Sequence, residues 1–94
     1  MKKLQDKIAI ITGAGGGIGA ATARLFAQEG AKLVLTDINF DAVSAIAAEI
    51  GGDTIALQHD VTSEISWQSI MDATIKQFGQ LDVLVNNAGI LLVG

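Results

Sequence analysis

The stretch Lys7-Ile8-Ala9-Ile10-Ile11-Thr12-Gly13-Ala14-Gly15-Gly16-Gly17-Ile18-Gly19 decides the fold. Lys7–Thr12 is a short apolar run without alternation, the pattern of a strand covered on both faces. Glycines end it. Gly17 to Glu29 then reads as a helix, with Ile18, Ala21, Thr22, Leu25 and Phe26 at helical spacing and Gly30 placed to stop it. A strand that turns through glycine into a helix N-terminus gathers free backbone N–H groups and the positive end of the helix dipole at one spot. That combination suits a phosphate. Glycine permits the tight turn, the close approach of a diphosphate and the close packing of helix on strand. Three spacings fit. Gly13, Gly17 and Gly19 read as G-x-x-x-G-x-G, Gly13, Gly16 and Gly19 as G-x-x-G-x-x-G, and Gly15, Gly17 and Ala20 as G-x-G-x-x-A. All three imply a dinucleotide, in different groups of enzymes.

Outward from this stretch, strands and helices alternate. Lys32–Thr36, Thr54–Gln58 and Leu81–Val85 are short strands. Asn39 or Asp41 caps a second helix, whose inner face is Val43, Ile46, Ala47 and Ile50 and which Gly51-Gly52 ends. Thr62 or Ser63 caps a third helix, which runs through Phe78. Its stripe is Trp67, Ile70, Met71, Thr74, Ile75 and Phe78. Strands joined by single helices imply right-handed crossovers and a parallel sheet. The expected order is 3-2-1-4, half of a Rossmann-type, doubly wound α/β fold, with ligand entry between strands one and four.

Composition excludes several functions. The 94 residues carry a net charge of −4, against the basic face that a nucleic-acid binder needs. With no cysteine and one histidine, thiolate chemistry, disulfides and multi-histidine metal sites are out. The apolar runs are far shorter than the roughly 20 residues of a membrane span. Lys2 and Lys3 are followed by Gln5, Asp6 and Lys7 rather than by a signal-peptide core. The expectation is a soluble, cytoplasmic protein that binds neither nucleic acid nor membrane.

Three further features lie at strand ends. Asp37 follows Gly19 by 18 residues, near the offset at which a carboxylate accepts hydrogen bonds from the adenosine ribose. It would repel a 2′-phosphate, and no Arg or Lys stands in the glycine loop or directly after it, so NAD is expected over NADP. The alternative for Asp37 is a helix cap. Asp60-Val61 follows the third strand, where Asp60 can accept from the adenine amino group and the Val61 backbone complete the contact; a cap for the third helix is the alternative. Asn86-Asn87-Ala88-Gly89 follows the fourth strand, where amides can tie strand ends together and small residues admit a ligand. His59 reads as a bland strand-end residue and Trp67 as core packing.

Taken together, Thr12-Gly13-x-x-x-Gly17-Ile18-Gly19, Asp37, Asp60-Val61 and Asn86-Asn87-Ala88-Gly89 resemble the short-chain dehydrogenase/reductase family, over the whole chain. Asn-Asn-Ala-Gly favours the ordinary short-chain branch and so the first glycine spacing. The resemblance implies that Gly13, Gly16, Gly17, Ile18 and Gly19 hold the diphosphate. It places Asp37 at the adenosine ribose, Asp60 and Val61 at the adenine, and Asn87, Ala88 and Gly89 beside the nicotinamide-side ribose. It also implies a catalytic Ser, Tyr and Lys that these 94 residues, which contain no tyrosine, do not supply.

The expected function is therefore the NAD-binding portion of an oxidoreductase that moves hydride between NAD(H) and an alcohol/carbonyl pair. Residues 1–94 are expected to form one domain that stops before the catalytic segment and is inactive alone. The alternatives are a non-catalytic nucleotide-binding module and a non-functional truncated product. The apolar fourth strand and the tail Ile90–Val93 add an expectation of self-association.

Overall fold

A computed structural model describes residues 3–87. The elements run β1 (Ile8–Thr12), α1 (Gly17–Gln28), β2 (Lys32–Asp37), α2 (Phe40–Ile50), β3 (Thr54–Gln58), α3 (Glu64–Phe78) and β4 (Val83–Val85). The four strands form one sheet in the order β3-β2-β1-β4, and every pairing is parallel. This is the expected α/β half-fold.

All five residues of β1 are buried, because the strand lies inside the sheet with helices over both faces. Alternation then sorts its side chains. Ala9 and Ile11 join Leu33, Leu35, Ala23, Val43 and Ala47 on one face, and Ile10 joins Val34 and Ile70 on the other. Each fully buried Ile or Leu contributes about 1.5–3 kcal/mol, so this central pair of strands holds the fold.

Several element ends and faces differ from the sequence reading. The buried side of α1 is Gly19, Ala20 and Ala23, whereas Ile18 and Leu25 are exposed. Where the helix lies close to the glycine loop it buries its smallest side chains and turns Ile18 outward, while Phe26 further along packs against the core. In α3, Ile70 and Thr74 are buried but Ile75 is exposed. At 100° per residue Thr74 lies about 20° round the helix from Trp67 and Ile75 about 80°. β4 starts at Val83 rather than Leu81, because Asp82 takes over the ladder. Its carboxylate Oδ2 accepts from the Ile8 N–H at 2.9 Å while its own N–H donates to the Ile8 carbonyl. Asn39 caps α2, accepting from Ala42 N–H, and Ser63 caps α3, accepting from Ser66 N–H.

Candidate functional site

The register aligns Thr12 with Thr36, Asp37 with Gln58 and Ile11 with Val85, so all four strands end at one edge. Segments 13–16, 38–39, 59–63 and 86–87 leave from it. In open α/β sheets, ligands bind at this carboxyl edge where the strand order reverses, here between β1 and β4.

The glycines of the first segment serve different needs. Gly13 (φ 63°) and Gly17 (φ 57°) adopt left-handed backbone that L side chains avoid. Gly19 is needed for space: a Cβ there would collide with the Gly13 carbonyl oxygen and lie 2.9 Å from Asn87 Nδ2. Gly16 is extended, with φ 175°, and nothing lies within 4 Å of where its Cβ would stand. Space at that helix start is what an approaching anion requires. No side chain caps α1 and no acidic residue lies in its first turn. By contrast α2 and α3 have Asn39 and Ser63 as caps and Asp41 and Glu64 in their first turns. The positive end of α1 is thus left unneutralised by its own sequence. Ile18, in its first turn, is 76% exposed.

Asp37 faces this loop. Its Oδ2 accepts from the Gly15 N–H at 2.9 Å and its Oδ1 from the Asn39 N–H at 3.0 Å. It caps neither helix; it ties the end of β2 to the glycine loop. Sequence reasoning left Gly15 out of the site, although a Cβ there would lie 2.8 Å from Asp37 Oδ2. The only signal was one glycine among five. Ile38, 62% exposed at the same edge, was also missed; Gln58 Nε2 holds its carbonyl at 3.2 Å.

After β4, buried Thr12 ties the strand ends together. Its Oγ1 donates to Asn86 Oδ1 at 3.0 Å and accepts from the Asn87 N–H at 2.8 Å. Asn87 is thereby brought over Gly13 and Gly19. Ala88 and Gly89 lie outside the described residues.

The turn after β3 is tied down almost completely. Asp60 Oδ1 accepts from Thr62 N–H at 2.9 Å and Thr62 Oγ1 at 2.6 Å, which holds its carboxyl below the ordinary carboxylate range. Its N–H donates to Ser66 Oγ, its carbonyl accepts from Ser63 N–H, and the Val61 carbonyl accepts from Trp67 Nε1 at 2.8 Å. Asp60 is therefore not the α3 cap. The Val61 N–H is the one backbone donor of residues 59–63 without a partner among the described residues, and Asp60 Oδ2 is a free acceptor on the same turn.

His59 stands at the end of β3, as expected, but it is not bland. It is 2% exposed, its Nδ1 lies 3.0 Å from Thr36 Oγ1, and its ring meets Trp67 edge-to-face at 4.2 Å. Burial lowers its pKa from the ordinary 6.5, outweighing the attraction of Asp60. Its Nε2 is buried without a hydrogen-bond partner, so no acceptor stands there to offset the charge of a protonated ring. The unfolded chain takes up this proton near pH 6.5 and the folded chain only at lower pH. Stability should be level above pH 6.5 and fall as the pH drops below it, where the unfolded state binds more protons. Melting curves taken below pH 6.5 should show a loss that His59→Gln removes, since the chain has no other histidine. Parallel pH profiles for the two proteins would refute this.

A glycine cradle at the switch point of a 3-2-1-4 parallel sheet defines the Rossmann-type class of α/β proteins. The chain belongs to the short-chain dehydrogenase family: the family profile, described as short chain dehydrogenase, matches residues 7–94. It is 46% identical over 92 residues to a 3-beta-hydroxysteroid dehydrogenase of Comamonas testosteroni, covering 98% of this chain and 36% of that protein. It is 47% identical over 90 residues to the 7alpha-hydroxysteroid dehydrogenase of Escherichia coli (strain K12), covering 93% of this chain and 35% of that protein. The crystal structure of a 3-ketoacyl-(acyl-carrier-protein) reductase from Brucella melitensis complexed with NADH is similar with a TM-score of 0.90. It shares 41% identity, over 94% of this chain and 36% of that one. The chain thus spans about a third of the length of these relatives. Among the described residues, no helix is long and apolar enough to cross a membrane, and no cluster of His, Cys, Asp or Glu is set to hold a metal.

Proposed function

We propose that these residues form the nucleotide-binding unit of a longer cytoplasmic oxidoreductase that moves hydride between NAD(H) and an alcohol/carbonyl pair. The observation that carries this reading is the Asp37 carboxylate, held against the glycine loop by the Gly15 N–H. From there a carboxylate accepts from adenosine ribose hydroxyls while the uncapped α1 N-terminus takes the diphosphate. On this reading Gly13, Gly16, Gly17, Ile18 and Gly19 hold the diphosphate and Asp37 the ribose. Asp60 Oδ2 and Val61 N–H meet the amino group and neighbouring ring nitrogen of adenine. Asn87, Ala88 and Gly89 border the nicotinamide-side ribose. When bound, the nicotinamide gives or takes the hydride; the residues of this chain bind and orient the dinucleotide. NAD is preferred over NADP.

Titration with NADH, followed by nicotinamide fluorescence, should show saturable binding; its absence would refute the proposal. The family's proton-donating Tyr has no counterpart among these 94 residues. General acid catalysis is typically worth about 10²–10⁴ in rate. Residues 1–94 alone should therefore bind NADH yet not oxidise it with any of a panel of ketones, and oxidation above a no-protein blank would show otherwise. Binding without turnover by the longer protein would favour a non-catalytic module, and no binding at all a non-functional product.

A segment limited to these residues should also self-associate through β4. Among the described residues β4 pairs only with β1. The one charge beside this strand, Asp82, is turned towards β1, bonded to the Ile8 N–H, and does not guard the outer edge. Leu84 is 47% exposed. Unpaired apolar edges recruit other strands. Analytical ultracentrifugation at micromolar concentration should show a dimer or larger species; a monodisperse monomer would refute it.

A further inference from the structure

We propose that Trp67 is a positioning residue that sets the base specificity of the nucleotide site; the proposal rests on the nucleotide reading above. Trp67 lies on α3, and its indole Nε1 donates to the Val61 carbonyl at 2.8 Å. That bond fixes the peptide plane after Val61, in the turn that offers the Val61 N–H and Asp60 Oδ2. Two other residues at the start of α3 hold the same turn: Ser66 Oγ accepts from the Asp60 N–H at 3.0 Å and Ser63 N–H donates to the Asp60 carbonyl at 3.0 Å. The indole also meets the buried His59 ring edge-to-face, centroids 4.2 Å apart, and His59 is itself anchored to Thr36 of β2. Trp67 therefore connects a rigid point of the sheet to a turn whose backbone carries the free donor.

A fixed donor beside a fixed acceptor is a recognition device. Adenine presents an amino donor next to a ring-nitrogen acceptor, the complement of Asp60 Oδ2 and Val61 N–H. Hypoxanthine presents a carbonyl acceptor next to a ring N–H donor, which reverses both contacts. A pinned turn must reject hypoxanthine, because mismatched groups leave a carboxylate and an N–H unpaired. An unpinned turn can re-aim its peptide and tolerate it. Trp67 touches no nucleotide atom in this scheme and acts through Val61.

The test compares NADH with its hypoxanthine analogue on the full protein. The native protein should prefer NADH by about tenfold or more. Trp67→Phe removes the indole N–H while keeping a ring against His59. It should cut that preference to about twofold, chiefly by weakening NADH, while the melting temperature changes little. Ser66→Ala frees a second anchor of the turn, the Asp60 N–H, and should reduce the preference in the same direction, so the proposal stays testable if Trp67→Phe does not fold. A native preference that either folded variant keeps in full would overturn the positioning role. Equal affinity of the native protein for the two dinucleotides would overturn the adenine assignment of this turn. Failure of the native protein to bind either would instead overturn the nucleotide reading itself.

Discussion

Gly19→Ala is expected to abolish dinucleotide binding and to lower the melting temperature by about 4 °C or more. The added Cβ would run into the Gly13 carbonyl oxygen, lie 2.7 Å from the Gly13 carbonyl carbon and 2.9 Å from Asn87 Nδ2. Two of these three atoms are backbone and cannot swing aside. α1 would have to back away from the loop, and its small inner face, Ala20 and Ala23, would lose contact with the sheet. Overpacking of this kind costs about 1–3 kcal/mol, and at this size each kcal/mol is worth about 4–8 °C. Gly16→Ala is the informative control. Its Cβ meets nothing within 4 Å and its backbone is extended, so the fold should tolerate it. If the open space over Gly16 admits a diphosphate, Gly16→Ala should still weaken NADH by about tenfold or more at an unchanged melting temperature. Unaltered NADH affinity in Gly16→Ala would mean that no ligand approaches there. A melting temperature of Gly19→Ala equal to that of the native chain would mean that the helix moves at no cost.

These two glycines also mark the limit of what sequence could say. Pattern is enough for the order of elements, because short apolar runs alternate with helical stripes, and the parallel sheet in the order 3-2-1-4 follows from right-handed crossovers about a switch point. The inner face of α2 was legible too: Val43 and Ala47 are buried, with Ile46 and Ile50 packed beside them. The inner face of α1 was not. Hydrophobic spacing picks out large side chains, whereas the need to approach the loop selects small ones, so Ile18 and Leu25 keep the helical spacing yet face outward. The role of Gly15 was invisible because the group that matters is a backbone N–H, which every residue but proline carries. His59 was misjudged for a different reason. Its partner Thr36 is 23 residues away and becomes its neighbour only when β3 lies beside β2. Trp67 occupies a core position by spacing, yet its indole N–H reaches a carbonyl at the ligand edge. Spacing reports which face a residue occupies, not which polar atom it satisfies.

NAD is expected to bind at least about tenfold more tightly than NADP, a difference of about 1.4 kcal/mol. The Asp37 carboxylate cannot turn away from the ribose position, because each of its oxygens accepts from a backbone N–H, that of Gly15 or of Asn39. A 2′-phosphate brought there would face a fixed like charge. Counter-charge is missing from that edge among the described residues. Lys7 and Lys32 stand at the amino ends of β1 and β2, Lys76 lies in the last turn of α3, and Arg24 is engaged by Glu49 at 2.6 Å. Lys3 lies in the segment before β1, its backbone N–H bonded to Glu29. Asp37→Asn keeps an oxygen for one backbone N–H but removes the charge. It should weaken NADH several-fold, leave NADPH nearly unchanged or improved, and shrink the discrimination to about threefold or less. Asp37→Ala should do the same while also lowering the melting temperature, since the Gly15 and Asn39 N–H groups lose their acceptor. Parallel titrations of the native protein and both variants with NADH and NADPH separate the charge from the hydrogen bonds. Equal native affinities for the two dinucleotides would show that Asp37 serves only to tie the loop to β2. The specificity would then have to come from residues outside this edge of the sheet.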